Sequence, residues 1–322
     1  MKHKRGHIVS QYIISTAVLL IAGWAVFFPE NILGIQILDY TVHLMIGMFL
    51  IGFGALTINY TKVMVTSLGA CMLLCIFLKN ESNEAMIMPI ANTEAKLSVA
   101  HFNVSNVQDL DHLINTIDDL DVDLLSFQEL TPDWNYILQE KLKTQYPYNM
   151  SIVRIDPYGM AMYSKKNFVS IDTFMFDNKP NLQAELLIDS KKISVFGSYL
   201  VPEITKASTV QTKEHLDMIS YKIRDTQSPV IALGDYNMVY WANAISRFRA
   251  KAQVIHSRRD VYEDGLKPPY DHIFFTTDME CTKFENINDL KEKHIGILGA
   301  YQIKTKYIID KSLPTTLSSL SI

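Results

Sequence analysis

Four polar clusters in the later part of this 322-residue chain have the residue types to bind a hard cation or a phosphate group. They are Ala100-His101-Phe102-Asn103-Val104, Asp123-Leu124-Leu125-Ser126-Phe127-Gln128-Glu129, Gly234-Asp235-Tyr236-Asn237 after Val230–Leu233, and Tyr270-Asp271-His272-Ile273-Phe274. Each sets a carboxylate or carboxamide beside an apolar run. A glutamate such as Glu129 at a strand end is a suitable Mg²⁺ ligand, because hard cations take oxygen donors and keep several waters. Alone, Gln-Glu is an ordinary strand end and Gly-Asp-x-Asn an ordinary turn. The four in this order are a stronger signal than any one of them.

The elements that must position these clusters follow from periodicity. Strands are expected at Leu97–Phe102, Asp123–Phe127, Gly159–Tyr163, Ala184–Ile188, Ile193–Tyr199, Pro229–Leu233 and Asp271–Thr276, with a last one at Ile303–Ile309. Helical spacing marks Asp109–Leu120, Trp134–Lys143, Gln211–Arg224 and Trp241–Ala250. Strands and helices in mixed order indicate a layered α/β domain. Loops at strand ends converge on one edge in such domains, and sites assemble there.

The order and spacing of these segments resemble the endonuclease/exonuclease/phosphatase superfamily over residues 97–309, in particular a bacterial membrane-anchored branch. The resemblance implies a DNase I-like four-layer α/β/β/α sandwich. It also implies hydrolysis of phosphodiesters or phosphomonoesters with Mg²⁺ or Mn²⁺. By the same resemblance, Glu129 stands at the metal-binding position, and Asn103 positions the scissile phosphate and the metal. Asp235 orients or deprotonates the attacking water, Asn237 binds phosphate, Asp271 orients a catalytic histidine, and Tyr158 in Tyr158-Gly159-Met160-Ala161 sits near the phosphate.

Two histidines of that pattern are not found where expected. Tyr199, in Ser198-Tyr199-Leu200-Val201-Pro202, stands in the place of one. The second belongs to a Ser-Asp-His triplet before the last strand, where Gly299-Ala300-Tyr301 is the best match, so Tyr301 takes its place. Tyrosine has no cationic form and a reference pKa near ~10, so it donates a hydrogen bond but cannot act as imidazolium. The loss of an acid–base group costs ~10²–10⁴-fold. The expectation is therefore a weakened or silent phosphoester hydrolase, with a membrane-tethered binding or scaffold domain as the alternative. His101 and His272 are expected to point away from the site along their strands. His256 and His294, in expected loops, are the groups able to supply an imidazole instead.

The first ninety residues differ in kind. Apolar runs at 8–28, 38–58 and 63–78, the second beginning with Asp39 at the interface and the third short, read as three transmembrane helices against the ~20 residues that span a bilayer. Residues 1–79 then form a membrane module, 80–95 a linker with an apolar piece at Met86–Ile90, 96–310 the family domain and 311–322 a tail. Lys2, Lys4 and Arg5 place the N-terminus in the cytoplasm, and three crossings put the domain outside. The bilayer is thus the expected partner, with a phosphate-containing ligand possible at the site.

The net charge is −4. No basic patch of the kind that holds nucleic acid is evident, so strong nucleic-acid binding is not indicated. Three cysteines, Cys71, Cys75 and Cys281, offer neither a disulfide framework nor zinc spacing.

Overall fold

The computed structural model describes residues 2–27, 32–82, 89–91, 96–259 and 268–304. The apolar piece expected at Met86–Ile90 and the tail at 311–322 lie mostly or wholly outside them.

Two six-stranded sheets form the centre. In chain order the strands are β1 Lys96–Asn103, β2 Leu124–Gln128, β3 Tyr148–Ile152, β4 Met160–Ser164, β5 Phe168–Phe176 and β6 Lys179–Ile188, then β7 Lys191–Ser198, β8 Val230–Asp235, β9 Val254–His256, β10 Asp271–Thr276, β11 Met279–Asn288 and β12 His294–Ile303. The first sheet has the order β11-β12-β1-β2-β4-β3, the second β5-β6-β7-β8-β10-β9. Leu97, Val99, Leu124, Leu182, Ile231 and Ile297 pack between the sheets. On the outer face of the first sheet lie α5 (Leu110–Leu120) and α6 (Pro132–Leu142), through Leu113, Ile117 and Leu138. On the outer face of the second lie α7 (Lys206–Asp225) and α8 (Asn243–Ala252), through Leu216, Ile219 and Phe248. The layering is thus α/β/β/α.

Local chemistry starts these helices where the sequence does. Asp109 and Thr131 cap α5 and α6 by accepting from the backbone N–H of His112 and Trp134, and Thr205 with Ser208 closes a capping box on α7.

The expected last strand is corrected. It is His294–Ile303, paired with β1 from Lys96↔Gln302 to Phe102↔Gly296, and residues 305–309 lie outside the described set. Gly296 and Gly299 make this run look like poor strand sequence. At Gly296 glycine is required, since a Cβ would overlap the His101 carbonyl oxygen.

The N-terminal segment forms α1 Lys2–Phe27, α2 Ile32–Asp39, α3 Thr41–Thr57 and α4 Thr61–Glu81. Two helices, Ile8–Phe27 and Thr61–Glu81, are long and apolar enough to cross a membrane. The expected second span, 38–58, is observed as the shorter α3, set off from α2 by a break at Tyr40, where Thr41 Oγ1 donates to the Leu38 carbonyl at 2.8 Å. The 17 residues of α3 reach only ~26 Å at 1.5 Å per residue. Small residues line the contacts: Ala22 and Ala25 of α1 meet Ala70 of α4.

This bundle is joined to the α/β domain at one end. Leu38, Val42 and Leu78 pack with Val239, Tyr240 and Trp241, and Trp241 Nε1 donates to the Leu38 carbonyl at 2.8 Å. Arg249 donates to the Glu81 carbonyl at 2.7 Å, Ser246 bonds the Glu81 carboxylate, and Tyr270 donates to Asp39 at 3.1 Å.

Candidate active site

The topology delivers the polar clusters to one rim. β1 and β2 run parallel, as do β7 and β8, so Asn103, Glu129, Tyr199 and Asp235 all follow the carboxyl ends of their strands. β10 runs antiparallel to β8 with Asp271 opposite Asp235, and β12 runs antiparallel to β1 with His294 near the Asn103 end.

Backbone geometry aims the side chains. Glu129 and Asn237 leave their strands at φ 57° and 51°, in the left-handed region that non-glycine residues rarely adopt. Gly234 sits at φ 148°, and a Cβ there would overlap the Ser198 carbonyl oxygen. Such conformations persist where surrounding bonds hold them, often at functional sites. Here Gln128 does the holding: it donates to Ser198 O at 2.5 Å and accepts from Asp235 N at 2.8 Å, tying the two sheets together.

At the rim, Asn103 Nδ2 donates to Glu129 Oε1 at 2.9 Å and approaches Asp235 Oδ2 at 3.4 Å. Its Oδ1 accepts from Ser105 N and Oγ at 3.0 and 2.8 Å, which fixes the amide orientation. Asn103 therefore orients the Glu129 carboxylate through its amide nitrogen, while its oxygen is taken up by Ser105. Asn237 N donates to Asp235 Oδ1 at 2.8 Å, and its side chain donates to Leu200 O at 2.9 Å. Burial raises the Asp235 carboxyl well above the ordinary range. The facing Asp271 charge adds to this, and hydrogen bonds from Asn237 and Asn103 oppose it.

His294 Nε2 lies 2.6 Å from Asp271 Oδ2, and both residues are largely buried. Burial alone would raise Asp271, but the hydrogen bond and charge of His294, with His101 behind it, hold it below the usual carboxylate range. His101 does not point away as expected. Residues two apart on a strand share a face, so it lies on the Asn103 side, with Nε2 3.8 Å from Asp271 Oδ1 and Nδ1 3.3 Å from Ser126 Oγ. Of the two loop histidines expected to be able to supply an imidazole, His294 does reach the rim, in Glu292-Lys293-His294 at the start of β12. The register error came from placing the last strand too late. Lys293 still stands where the resemblance puts an aspartate.

Tyr301, the expected replacement, lies elsewhere. It pairs with Leu97, six residues from Asn103 or ~20 Å along β1, and its hydroxyl meets Ser257 Oγ at 2.6 Å in the inter-sheet core. Tyr199 is at the rim. Burial raises its hydroxyl well above the usual value, with the Asp235 and Glu129 charges adding, so it stays a proton donor. Tyr158 packs edge-on against it at 5.7 Å between ring centroids. His272 points to the outer face, where its Nε2 meets Met238 O at 2.7 Å and its Nδ1 meets His256 Nε2 at 2.8 Å, so His256 does not reach the rim.

A family model described as the Endonuclease/Exonuclease/phosphatase family matches residues 100–291, more than half the chain. The chain belongs to this family. Similar solved structures include an endonuclease/exonuclease/phosphatase from Beutenbergia cavernae, at 14% identity and TM-score 0.55 over 65% of this chain and 72% of that one. The family enzyme from Bacteroides vulgatus gives 15% identity and TM-score 0.53 over 66% and 100%. D. rerio TDP2 complexed with single-strand DNA product gives 16% and 0.52 over 64% and 99%. At these identities the likeness is one of fold. No curated protein matches the chain.

Family members are typically divalent-metal dependent. Among the described residues no group of three or more His, Cys, Asp or Glu side chains forms a cage. The rim instead offers one oriented carboxylate, Glu129, with Asp235 close behind. That fits the mode in which Mg²⁺ keeps most of its waters and shares phosphate oxygens.

Proposed function

We propose that this chain is a membrane-anchored, divalent-metal-dependent phosphoester hydrolase with its active site at this rim. The observation that carries the reading is the 2.6 Å bond between His294 and Asp271. It supplies the imidazole whose absence argued for a silent site. Glu129 would hold Mg²⁺ or Mn²⁺, oriented by Asn103. The bound ion supplies charge neutralisation at the phosphoryl oxygens.

The chain's own groups do the rest. Asp235, raised by burial, takes the proton of the attacking water. Water oxygen forms the new bond to phosphorus, and the ester oxygen leaves and is protonated from solvent. His294, held by Asp271, faces the charge that builds on the phosphoryl oxygens, and the protonated Tyr199 donates a hydrogen bond there.

The anchoring reading rests on the bundle. Lys62 N donates to Gln11 Oε1 at 3.2 Å and Thr66 Oγ1 meets Ser15 Oγ at 3.1 Å, so α1 and α4 run parallel. Two parallel spans need a return crossing, and α3 is the apolar helix between them. Ile13, Leu20, Leu50, Phe53 and Met72 face outward at 60–67% exposure, an apolar surface too continuous for water. With the basic start inside, the domain stands outside the cytoplasm.

Full-length protein in detergent, assayed with Mg²⁺ or Mn²⁺ on a panel of phosphodiesters, tests the activity. Turnover is expected, and Glu129→Ala or Asp235→Ala should lower it by ~10² or more. No turnover, with no metal-dependent rise in melting temperature, would favour a silent binding domain. For placement, protease added to intact cells should cleave the domain. Cleavage only after lysis would refute the outward orientation.

A further inference from the structure

A cavity of about 410 Å³ lies where the helical module meets the α/β domain. One wall is α2, through Ile35, Leu38 and Asp39, and the opposite wall is the loop after β7 with the start of α7. Its floor reaches Asn237, one of the rim residues. The volume is in the range of small-molecule sites.

The lining is mixed. Ile204 and Val210, 68% and 56% exposed, line it together with Ile35 and Leu38 of α2. The wall also carries Arg247 and Lys213, together with Asp39 and Glu203. Burial pushes the Glu203 carboxyl up to about 7, against the pull of Arg247 and with the Asp39 charge adding, so the acids and cations of the lining largely balance. A cavity that borders the helical module, has both apolar and charged lining and reaches the rim residue Asn237 suits an amphiphile.

We propose that this cavity admits the substrate, a membrane lipid with a phosphoester headgroup. Its apolar tail lies between α2 and the Ile204–Val210 wall, and its phosphate reaches Asn237. The inference rests on the phosphoester hydrolase reading and narrows its substrate class. The net charge of −4 and the lack of an evident basic patch in the sequence argue against a polynucleotide in the same place.

The test uses the full chain in nanodiscs of phosphatidylcholine and phosphatidylglycerol doped with a phosphatidylcholine carrying a diazirine on its acyl chain. Irradiation should cross-link the segment holding Ile204 and Val210, outside the helical module. Excess unlabelled phospholipid should suppress the cross-link, and inorganic phosphate should not. Ile204→Glu, at an exposed position that leaves the fold intact, should weaken the cross-link about tenfold. Cross-links confined to α1, α3 and α4, or an unchanged signal in Ile204→Glu, would overturn the proposal. The assay does not depend on turnover. Cross-linking without hydrolysis would sink the hydrolase reading alone, whereas hydrolysis of a soluble diester with no domain cross-link would sink only the lipid path.

Discussion

Asp271 and His294 belong to different sheets, yet their side chains meet at 2.6 Å across the rim. β10 and β12 both begin there, each running antiparallel to a strand that ends there. The carboxylate fixes which nitrogen of the ring carries its proton and stabilises the cation. Asp271→Asn keeps the shape and removes that charge. Its turnover should fall ~10²-fold or more with little change in KM, and adding His294→Gln should cost little beyond the first change, as for groups that act as a unit. Fully additive losses in steady-state kinetics would show that the two act separately.

Gly234 permits the close approach of β8 to Ser198. Its φ of 148° disfavours any side chain, and a Cβ would meet the Ser198 carbonyl and the Gln128 amide. Gly234→Ala should cost about 2 kcal/mol or more, read as a lower melting temperature. Turnover should fall as well, because Gln128 links this site to Asp235 N. An unchanged melting temperature would contradict the strain.

Four buried histidines make the fold acid-sensitive. Burial lowers His101, His215 and His272 to about 4, and His256 is also held well below its ordinary value. The His256–His272 pair has one consistent proton arrangement. Arg258 N donates to His256 Nδ1, His256 Nε2 donates to His272 Nδ1, and His272 Nε2 donates to Met238 O. Folded-state values below the unfolded 6.5 mean that the stabilisation is complete above pH ~6.5 and is lost as pH falls toward 4. Each group contributes roughly 1.4 kcal/mol per pH unit within that window. Melting curves between pH 7.5 and 4.5 should show the decline below 6.5, and it should be shallower in His272→Gln. A flat profile would refute this.

Trp241 fastens the domain to the helices. Its ring is buried against Tyr240 and α2, and its indole N–H is satisfied by Leu38 O. Trp241→Ala should destabilise this junction by ~3–5 kcal/mol. Faster proteolysis between residues 79 and 96 should reveal it, and wild-type cleavage kinetics would argue that the docking is loose.

Much of the scaffold is legible in the sequence because apolar strands flank the clusters. Asn103, Glu129, Asp235, Asn237 and Asp271 do meet at one rim. The start of the last strand is hidden for a physical reason, although His294 itself is among the candidates. Gly296 and Gly299 break the usual look of a strand, although close contact with His101 and Tyr301 accounts for both. That displaced the last strand and drew Tyr301 into the site. His294 followed by Ile295-Gly296-Ile297-Leu298 was the available signal. Gln128 carried no sequence mark of its bridging role, since its partners Ser198 and Asp235 are brought to it only by sheet packing.

The most direct measurement compares Mg²⁺-dependent phosphodiester turnover by His294→Gln and Tyr301→Phe in the full chain. The account predicts a ~10²–10⁴-fold loss in the first and wild-type turnover in the second. Wild-type rates in His294→Gln, from a protein that melts normally, would contradict it.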